Sequence, residues 1–516
     1  MATNIILGIG GTGAKIVEAI LHSSSLGLGP KALTIGLIDQ DRSNGNVART
    51  RETLETIKKA RGAWRSPGSD HFIGGGDLLR TEVRQLGDGL WVPHETNSIS
   101  LAQIVGDLGG DKAAFDIFFA KGNIEQEMRL DEGYRGRAHI GSAAITSAAS
   151  AAAPFWRELS DAIAAAKGGE EVRILLVGSV FGGTGAAGFP TISRLIRRIV
   201  EDAGMERNIS VGGILMLPYF KFSAPEDINA NVARTEDLLP QTRGALRYYS
   251  ALLKREKVFD DLFVVGWDPS FDLGYHRPGT GEQKNAALLP ELIAALGAAK
   301  FLDAEHEMTG NVFVTARREL GVIGWPDLPP PQPGNKARVY EDMGRHLRFL
   351  AAWKLWHPIL SRTNDAWRQA YSTHSWYEKQ GLGRIDFVNY PPTFALTALN
   401  DYANLSVKWL ASMKAYAAKS DMIWNLWNTD PLIEGEAQFN RPSDPISVKT
   451  QLSDRALLEG WSNLISPLEG ADAPPGADRV FYRLNTETVS GEYEGLGRFV
   501  ASLHEFSSVR TARGQH

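Results

Sequence analysis

Two glycine-rich segments are the residues best suited to chemistry. Gly8-Ile-Gly-Gly-Thr-Gly13 and Gly178-Ser-Val-Phe-Gly-Gly-Thr-Gly-Ala-Ala-Gly188 each follow a short apolar run and precede a helical pattern. Glycines at such a junction let backbone N–H groups approach phosphate oxygens closely, and the amino terminus of the following helix adds partial positive charge. The first segment matches the dinucleotide fingerprint G-x-G-x-x-G, with Asp39 at the end of the next apolar run as a ribose acceptor. A Walker P-loop is absent, because Lys15 lies two places after Gly13 and is followed by Ile16. Two such loops at one edge of a sheet would make two backbone cradles for one polyphosphate, which a single-loop dehydrogenase does not need.

The elements that must hold these loops can be read from periodicity. Asn4 to Gly8 predicts a strand, and Ile16, Val17, Ile20 and Leu21 recur at helical spacing behind the loop. Leu33 to Ile38 predicts a second strand with Asp39 and Asp41 at its carboxyl end. The Ala-rich run 142–166 reads as a helix, Val172 to Val177 as a strand, and Ile192, Leu195, Ile196 and Ile199 as one face of a further helix. Ile209 to Leu217 and Leu262 to Val265 add two strands, and 284–303 reads as a long helix through Leu289, Leu292, Ile293 and Leu296. Alternating strands and helices require an α/β fold with a mostly parallel sheet and helices on both faces. The prolines of Trp325 to Gly334 cannot sit inside a helix or central strand, so a linker is expected at 326–336. A mostly helical carboxyl domain is expected at 337–516, and nine of the 13 tryptophans lie after residue 320.

Composition narrows the function classes. The 516 residues suit roughly three domains. Fifty-five Lys and Arg against 60 Asp and Glu give a net charge of −5, so there is no basic excess for gripping a nucleic-acid backbone. The absence of cysteine removes thioester chemistry and Cys-ligated metal sites. No secretory signal and no apolar run of about 18 residues is visible, so a cytoplasmic protein without a membrane span is expected.

The paired loops resemble the tubulin superfamily, to which the bacterial division GTPase FtsZ belongs and whose signature is a Gly-Gly-Thr-Gly phosphate loop. Gly182-Gly183-Thr184-Gly185 matches its centre, while Phe181 and Ala187 replace the small residue and the glycine expected at its ends. The resemblance covers residues 1–325 and is greatest to divergent prokaryotic tubulin-like proteins. It implies that Gly10, Gly11, Thr12 and Gly13 form the first phosphate loop and that Asp39 and Asp41 lie near Mg²⁺. It implies that Arg135 and Arg137, in a segment ending at Gly141, sense the terminal phosphate, that Pro218 to Phe222 is the ribose-side loop, and that 284–303 is the central helix. It further implies GTP as ligand, head-to-tail assembly into a filament or ring, and GTP hydrolysis completed by acidic residues of the next subunit. The family's Asn-x-Asp string is missing, and the nearest carboxylates after the central helix are Asp303, Glu305 and Glu307. The carboxyl half does not match the family's usual second domain, and its tryptophans serve either a helical core or a surface for a protein partner.

Two other readings stand beside this one. A nucleotide-dependent scaffold would bind and assemble without hydrolysis. Leu33 to Asn44, with its Asp-x-Asp, is also similar to the ATP-dependent adenylating domain of ubiquitin-activating-type enzymes, here without a thioester cysteine; that reading gives no reason for the second Gly-Gly-Thr-Gly loop.

Overall fold

The computed structural model describes residues 3–510 apart from 70, 96–98, 107–110, 123–124, 131–132, 135, 150–152, 224–234, 276–283, 320, 332–336, 363–365, 388, 390–391, 436–445 and 472. In chain order, the elements that build and cover its main sheet include β1 (Thr3–Ile9), α1 (Gly10–Ser25), β2 (Ala32–Ile38), α2 (Gly45–Trp64), β3 (Glu82–Trp91), α3 (Ala138–Ala148), β4 (Val172–Ser179), α4 (Thr184–Asp202), β5 (Ile209–Met216), α5 (Thr235–Leu253), β6 (Asp261–Trp267), α6 (Leu289–Phe301) and β7 (Val312–Arg317). The longest helices of the carboxyl-terminal part are α7 (Arg338–Leu360), α8 (Thr393–Lys419) and α9 (Gly495–Phe506).

The seven strands form one sheet in the order β3-β2-β1-β4-β5-β6-β7, with every pairing parallel. Central strands of a parallel sheet are covered on both faces, which is why β1 and β4 are near-continuous apolar runs rather than alternating ones. The first six strands follow the 3-2-1-4-5-6 order of doubly wound sheets, whose direction of winding reverses between β1 and β4. Gly8 of β1 lies opposite Leu37 of β2 on one side and Val177 of β4 on the other. Both glycine-rich loops therefore leave the same edge of the sheet from neighbouring strands.

Several expectations shift in detail. The run 142–166 is not one helix: α3 ends at Ala148, and a second helix starts at Pro154, a residue that fits a first helical turn but not an interior one. The helix expected over 284–303 forms over Leu289–Phe301, with Pro290 again in the first turn. Strands β3 and β7 were not expected from sequence; β3 carries Gly87 and Gly89 at positive φ and a register shift against β2.

The carboxyl-terminal part is helical, and its tryptophans are mostly interior: Trp353, Trp427 and Trp461 are each at most 2 % exposed. Helix α8 lies on α1 and α2. The Trp64 indole donates to the Ala395 carbonyl at 2.8 Å, His22 stacks on Trp409 with ring centres 4.6 Å apart, and the Ser25 and Tyr402 hydroxyls are 2.9 Å apart. No helix among the described residues is long and apolar enough to cross a membrane.

Candidate functional site

In an open parallel sheet, ligands bind outside the carboxyl ends of the strands where the winding reverses. The glycine-rich loops occupy that place. Helix α1 begins at Gly10 and α4 at Thr184, and neither has a side-chain cap or an acidic residue in its first turn. The first N–H groups of a helix have no intrahelical partner, so these two termini present uncapped amides side by side. Helix α2 next door is finished differently, with the Asn44 side chain accepting from the Asn46 and Val47 amides.

The loops touch. Gly10 has φ +72°, and a Cβ there would stand 2.8 Å from the Gly185 nitrogen. At Gly13 a Cβ would stand 2.6 Å from the Val177 carbonyl, so this glycine lets α1 lie on β4. Gly182, at φ +81°, faces open space instead. Gly11, Thr12, Gly182 and Gly183 are the half-buried positions of the two loops, with Gly10, Gly13, Thr184 and Gly185 buried beneath them. A cradle of backbone amides with no side chain in it fits an anionic group such as a polyphosphate.

One hydrogen bond joins the second loop to β2. The Thr184 hydroxyl donates to Asp39 Oδ1 at 2.9 Å. The same oxygen accepts the Asp41 amide at 3.2 Å, and Asp39 Oδ2 accepts the Asn44 side-chain amide at 3.2 Å. Asp39 is 2 % exposed, and burial pushes its carboxyl up to about 7 even though the Thr184 bond opposes the shift. Asp41 is also buried and accepts the Ser43 amide and hydroxyl at 2.9 and 2.7 Å. Among the described residues no group of three or more His, Asp or Glu is placed to hold a metal ion. Asp39 and Asp41 fit a cation such as Mg²⁺, which takes few carboxylates and keeps waters and phosphate oxygens as its other ligands.

The segment before α3 closes the far side. Tyr134 is buried, donates to Gln40 Oε1 at 3.3 Å, and packs on Gly183 and Gly141, where an added Cβ would approach it to 2.9 and 2.6 Å. Arg137 is half-buried, with Nε 3.8 Å from Glu125 Oε1 and Nη1 3.6 Å from the Met128 sulfur. Arg135 lies outside the described residues.

No protein-family model and no curated protein matches the chain. A distant structural likeness is to CetZ from Methanosaeta thermophila strain DSM 6194, at 13 % identity and TM-score 0.22, covering 60 % of this chain and 57 % of that chain. Likeness at that level assigns no family and no function.

Beneath the loops lies a layer of buried charge that the sequence reading missed. Lys15 of α1 pairs with Glu291 of α6, both almost fully buried. Glu291 also accepts the Tyr219 hydroxyl at 2.7 Å and the Leu288 amide at 3.0 Å. Burial lowers the pKa of Lys15 despite its carboxylate partner. Arg49 of α2 pairs with Glu18 at 2.6 Å and donates to the Asn285 carbonyl. The charges inside the apolar runs Ala14–Leu21 (Lys15 and Glu18) and Leu288–Leu296 (Glu291) are the signal that could have pointed to this layer.

Asp303, Glu305 and Glu307 are not part of this constellation. Helix α6 runs from the loop edge to the amino-terminal edge of the sheet, and Asp303 beyond its end neighbours Asn4 and Ala32, where β1 and β2 begin. A seven-residue strand spans about 20 Å, so these carboxylates and the loops of one chain occupy opposite ends.

Proposed function

We propose that the chain is a tubulin-like protein that binds GTP with Mg²⁺ across its two glycine-rich loops and assembles head to tail. The observation that carries the reading is the pair of uncapped helix termini at adjacent strands, with Gly10 against Gly185 and Thr184 bonded to Asp39. The amides of Gly11, Thr12 and Gly13 and of Gly183 and Gly185 would receive the phosphates, and the Thr184 hydroxyl would fix Asp39 beside them. Asp39 and Asp41 would hold Mg²⁺ through water, and the cation would supply neutralisation of phosphate charge. Tyr134 would limit water at the second loop. Guanine as the base, and the placing of Arg135 and Arg137 toward the terminal phosphate, rest on the order of motifs along the sequence.

Hydrolysis in this reading needs a group from a second copy. A carboxylate about 20 Å away along the strand direction cannot serve its own loops, whereas copies stacked along that direction would bring Asp303, Glu305 or Glu307 of one onto the loops of the next. Asp39, held by three protein donors, is poorly placed to activate water, which also keeps the non-hydrolysing scaffold in view.

The deciding experiment identifies the nucleotide that copurifies with the protein, then follows sedimentation and phosphate release with GTP and with a non-hydrolysable analogue. GTP binding with concentration-dependent turnover is expected. Assembly without phosphate release would make the protein a scaffold, and tight ATP or NAD binding with none of GTP would overturn the reading in favour of adenylation or dehydrogenase chemistry.

A further inference from the structure

The two edges of the main sheet are finished in opposite ways. Strand β3 is blunted: its pairing with β2 breaks register between Ile35 and Leu37, Gly87 and Gly89 take positive φ, and the Gly87 amide donates to Glu158 at 2.8 Å. The helix Pro154–Ala165 covers it, with the Trp91 and Trp156 rings 5.0 Å apart. Strand β7 has none of these devices. It pairs with β6 in unbroken register from Leu262 opposite Val312 to Trp267 opposite Arg317, and no strand among the described residues lies on its other side. Its sequence Val312-Phe-Val-Thr-Ala-Arg317 holds no Lys, Pro or Gly, and its one charge, Arg317, is paired with Asp327 at 2.7 Å. Natural sheets protect their edges with bulges, charges, proline or a covering element, so an edge that lacks them is a template for another strand.

The strand is anchored from within. On the α6 side Phe313 stacks on Phe263 with ring centres 4.9 Å apart, and Lys300 Nζ stands 4.1 Å from the centre of the Phe313 ring. The Asn311 and Arg317 carbonyls accept the Leu262 and Asp268 amides at 3.0 and 2.9 Å. Backbone groups alternate in direction along a strand, so those of Val312, Val314 and Ala316 point away from β6. The side chains of Val312 and Val314 lie on the face opposite Phe313 and are 51 and 66 % exposed. Next to the carboxyl end of β7, the Arg317 guanidinium donates to the Val322 carbonyl at 3.0 Å, and Val322 is paired with Ile423 in a two-stranded parallel sheet. Both are exposed, so β-branched side chains border the open edge along its length.

We propose that β7 pairs antiparallel with β7 of a second copy of the chain about a two-fold axis, joining the two sheets into one. The outward residues are symmetric about Val314. The register that pairs all of them sets Val314 opposite Val314 and Val312 opposite Ala316, with Phe313 opposite Thr315 on the α6 face. A two-fold contact closes on itself and gives a dimer. Charge favours the antiparallel sense. Glu305 and Glu307 before the strand and Arg318 after it are exposed, and none of the three has an ion-pair partner among the described residues. Antiparallel pairing sets the basic end of one strand beside the acidic approach to the other, whereas parallel pairing would set like charges together. The contact lies across the strands and needs no nucleotide, so it stands independently of the reading above.

The chain has no cysteine, which makes single cysteines clean probes of this register. Directly opposed residues in a hydrogen-bonded antiparallel pair have Cα atoms about 5.5 Å apart, within the disulfide range of about 4.4–6.8 Å. Val314→Cys, oxidised without nucleotide, is expected to form a covalent dimer. Val312→Cys alone should form none, because its own copy lies about 13 Å away along the strands, while a mixture of Val312→Cys and Ala316→Cys should cross-link. Sedimentation equilibrium of the wild type without nucleotide should show a monomer–dimer equilibrium. Val314→Pro should raise its dissociation constant at least tenfold and still melt like the wild type, since proline is tolerated where the N–H of an edge strand points outward. A monomeric wild type with no Val314→Cys cross-link would overturn the proposal and leave the edge to an extended peptide of another protein. Cross-linking of Val312→Cys to itself would overturn the register.

Discussion

The Thr184 hydroxyl lies 2.9 Å from Asp39 Oδ1 and ties the first residue of α4 to the residue that follows β2. This bond joins two loops on either side of β1, and its acceptor is a carboxyl whose pKa burial pushes up to about 7.

Asp39 should make the nucleotide-free protein less stable as pH rises. Its carboxyl is raised from about 3.8 to about 7 on folding, so the native state binds the extra proton between those values. The contribution is fully present below pH 4, falls through the interval and is level above 7, with a total of roughly 4 kcal/mol. Asp39→Asn, which keeps an acceptor for Thr184, should gain stability over the wild type progressively from pH 4 to 7. Urea titrations at several pH values would show it, and a constant difference would contradict the assignment.

The glycines should separate into two classes. Gly10→Ala combines positive φ with a Cβ 2.8 Å from a backbone nitrogen, and should cost about 2 kcal/mol or more of folding stability. Gly182→Ala has space for its methyl, and should cost about 1 kcal/mol while weakening nucleotide binding at least tenfold. Melting curves paired with calorimetry distinguish the two; equal effects on both quantities would contradict the split.

Lys15 and Glu291 should depend on each other. Removing one partner of a buried ion pair leaves a charge without compensation and costs about 3–5 kcal/mol, whereas replacing both by apolar groups of similar size costs far less. Lys15→Met with Glu291→Leu should therefore be more stable than either single variant, as a double-mutant cycle in urea would record.

Acid should unfold the protein through its buried histidines. His22 and His346 are each 2 % exposed, and burial lowers both to about 3. Folded, they stay neutral while the unfolded chain takes up protons below about pH 6.5, so stability is complete above that value and is lost as pH falls toward 3. Each would withdraw up to roughly 4–5 kcal/mol by pH 3. His22→Phe, which keeps a ring against Trp409, should flatten the acid limb of the stability profile.

Much of the sheet was legible because its central strands are unbroken apolar runs bounded by glycine. Strand β3 was not, since Gly87 and Gly89 interrupt its pattern, and β7 at the other edge is only half covered, with Val312 and Val314 exposed. The helix starts marked by Pro154 and by Pro290 in the first turn were readable in principle from the residues themselves. At the site, glycine spacing located both loops, because backbone approach demands that residue type locally. The partners that fix the loops were hidden: Thr184 and Asp39 are 145 residues apart, and Tyr134 meets Gly183 only through the tertiary fold. No local pattern announces such pairs.

Helix α1 touches both regions of interest. Its first residue, Gly10, stands against Gly185, and its last, Ser25, exchanges a hydrogen bond with Tyr402 of α8. Fourteen of its 16 residues are buried, so it has almost no free surface along which to bend. At 1.5 Å per residue it is a rod of about 24 Å, and a close-packed rod moves as one piece. A ligand that shifts Gly10 along the helix axis would deliver that displacement to Tyr402. The helical half would then register occupancy of a site it does not touch.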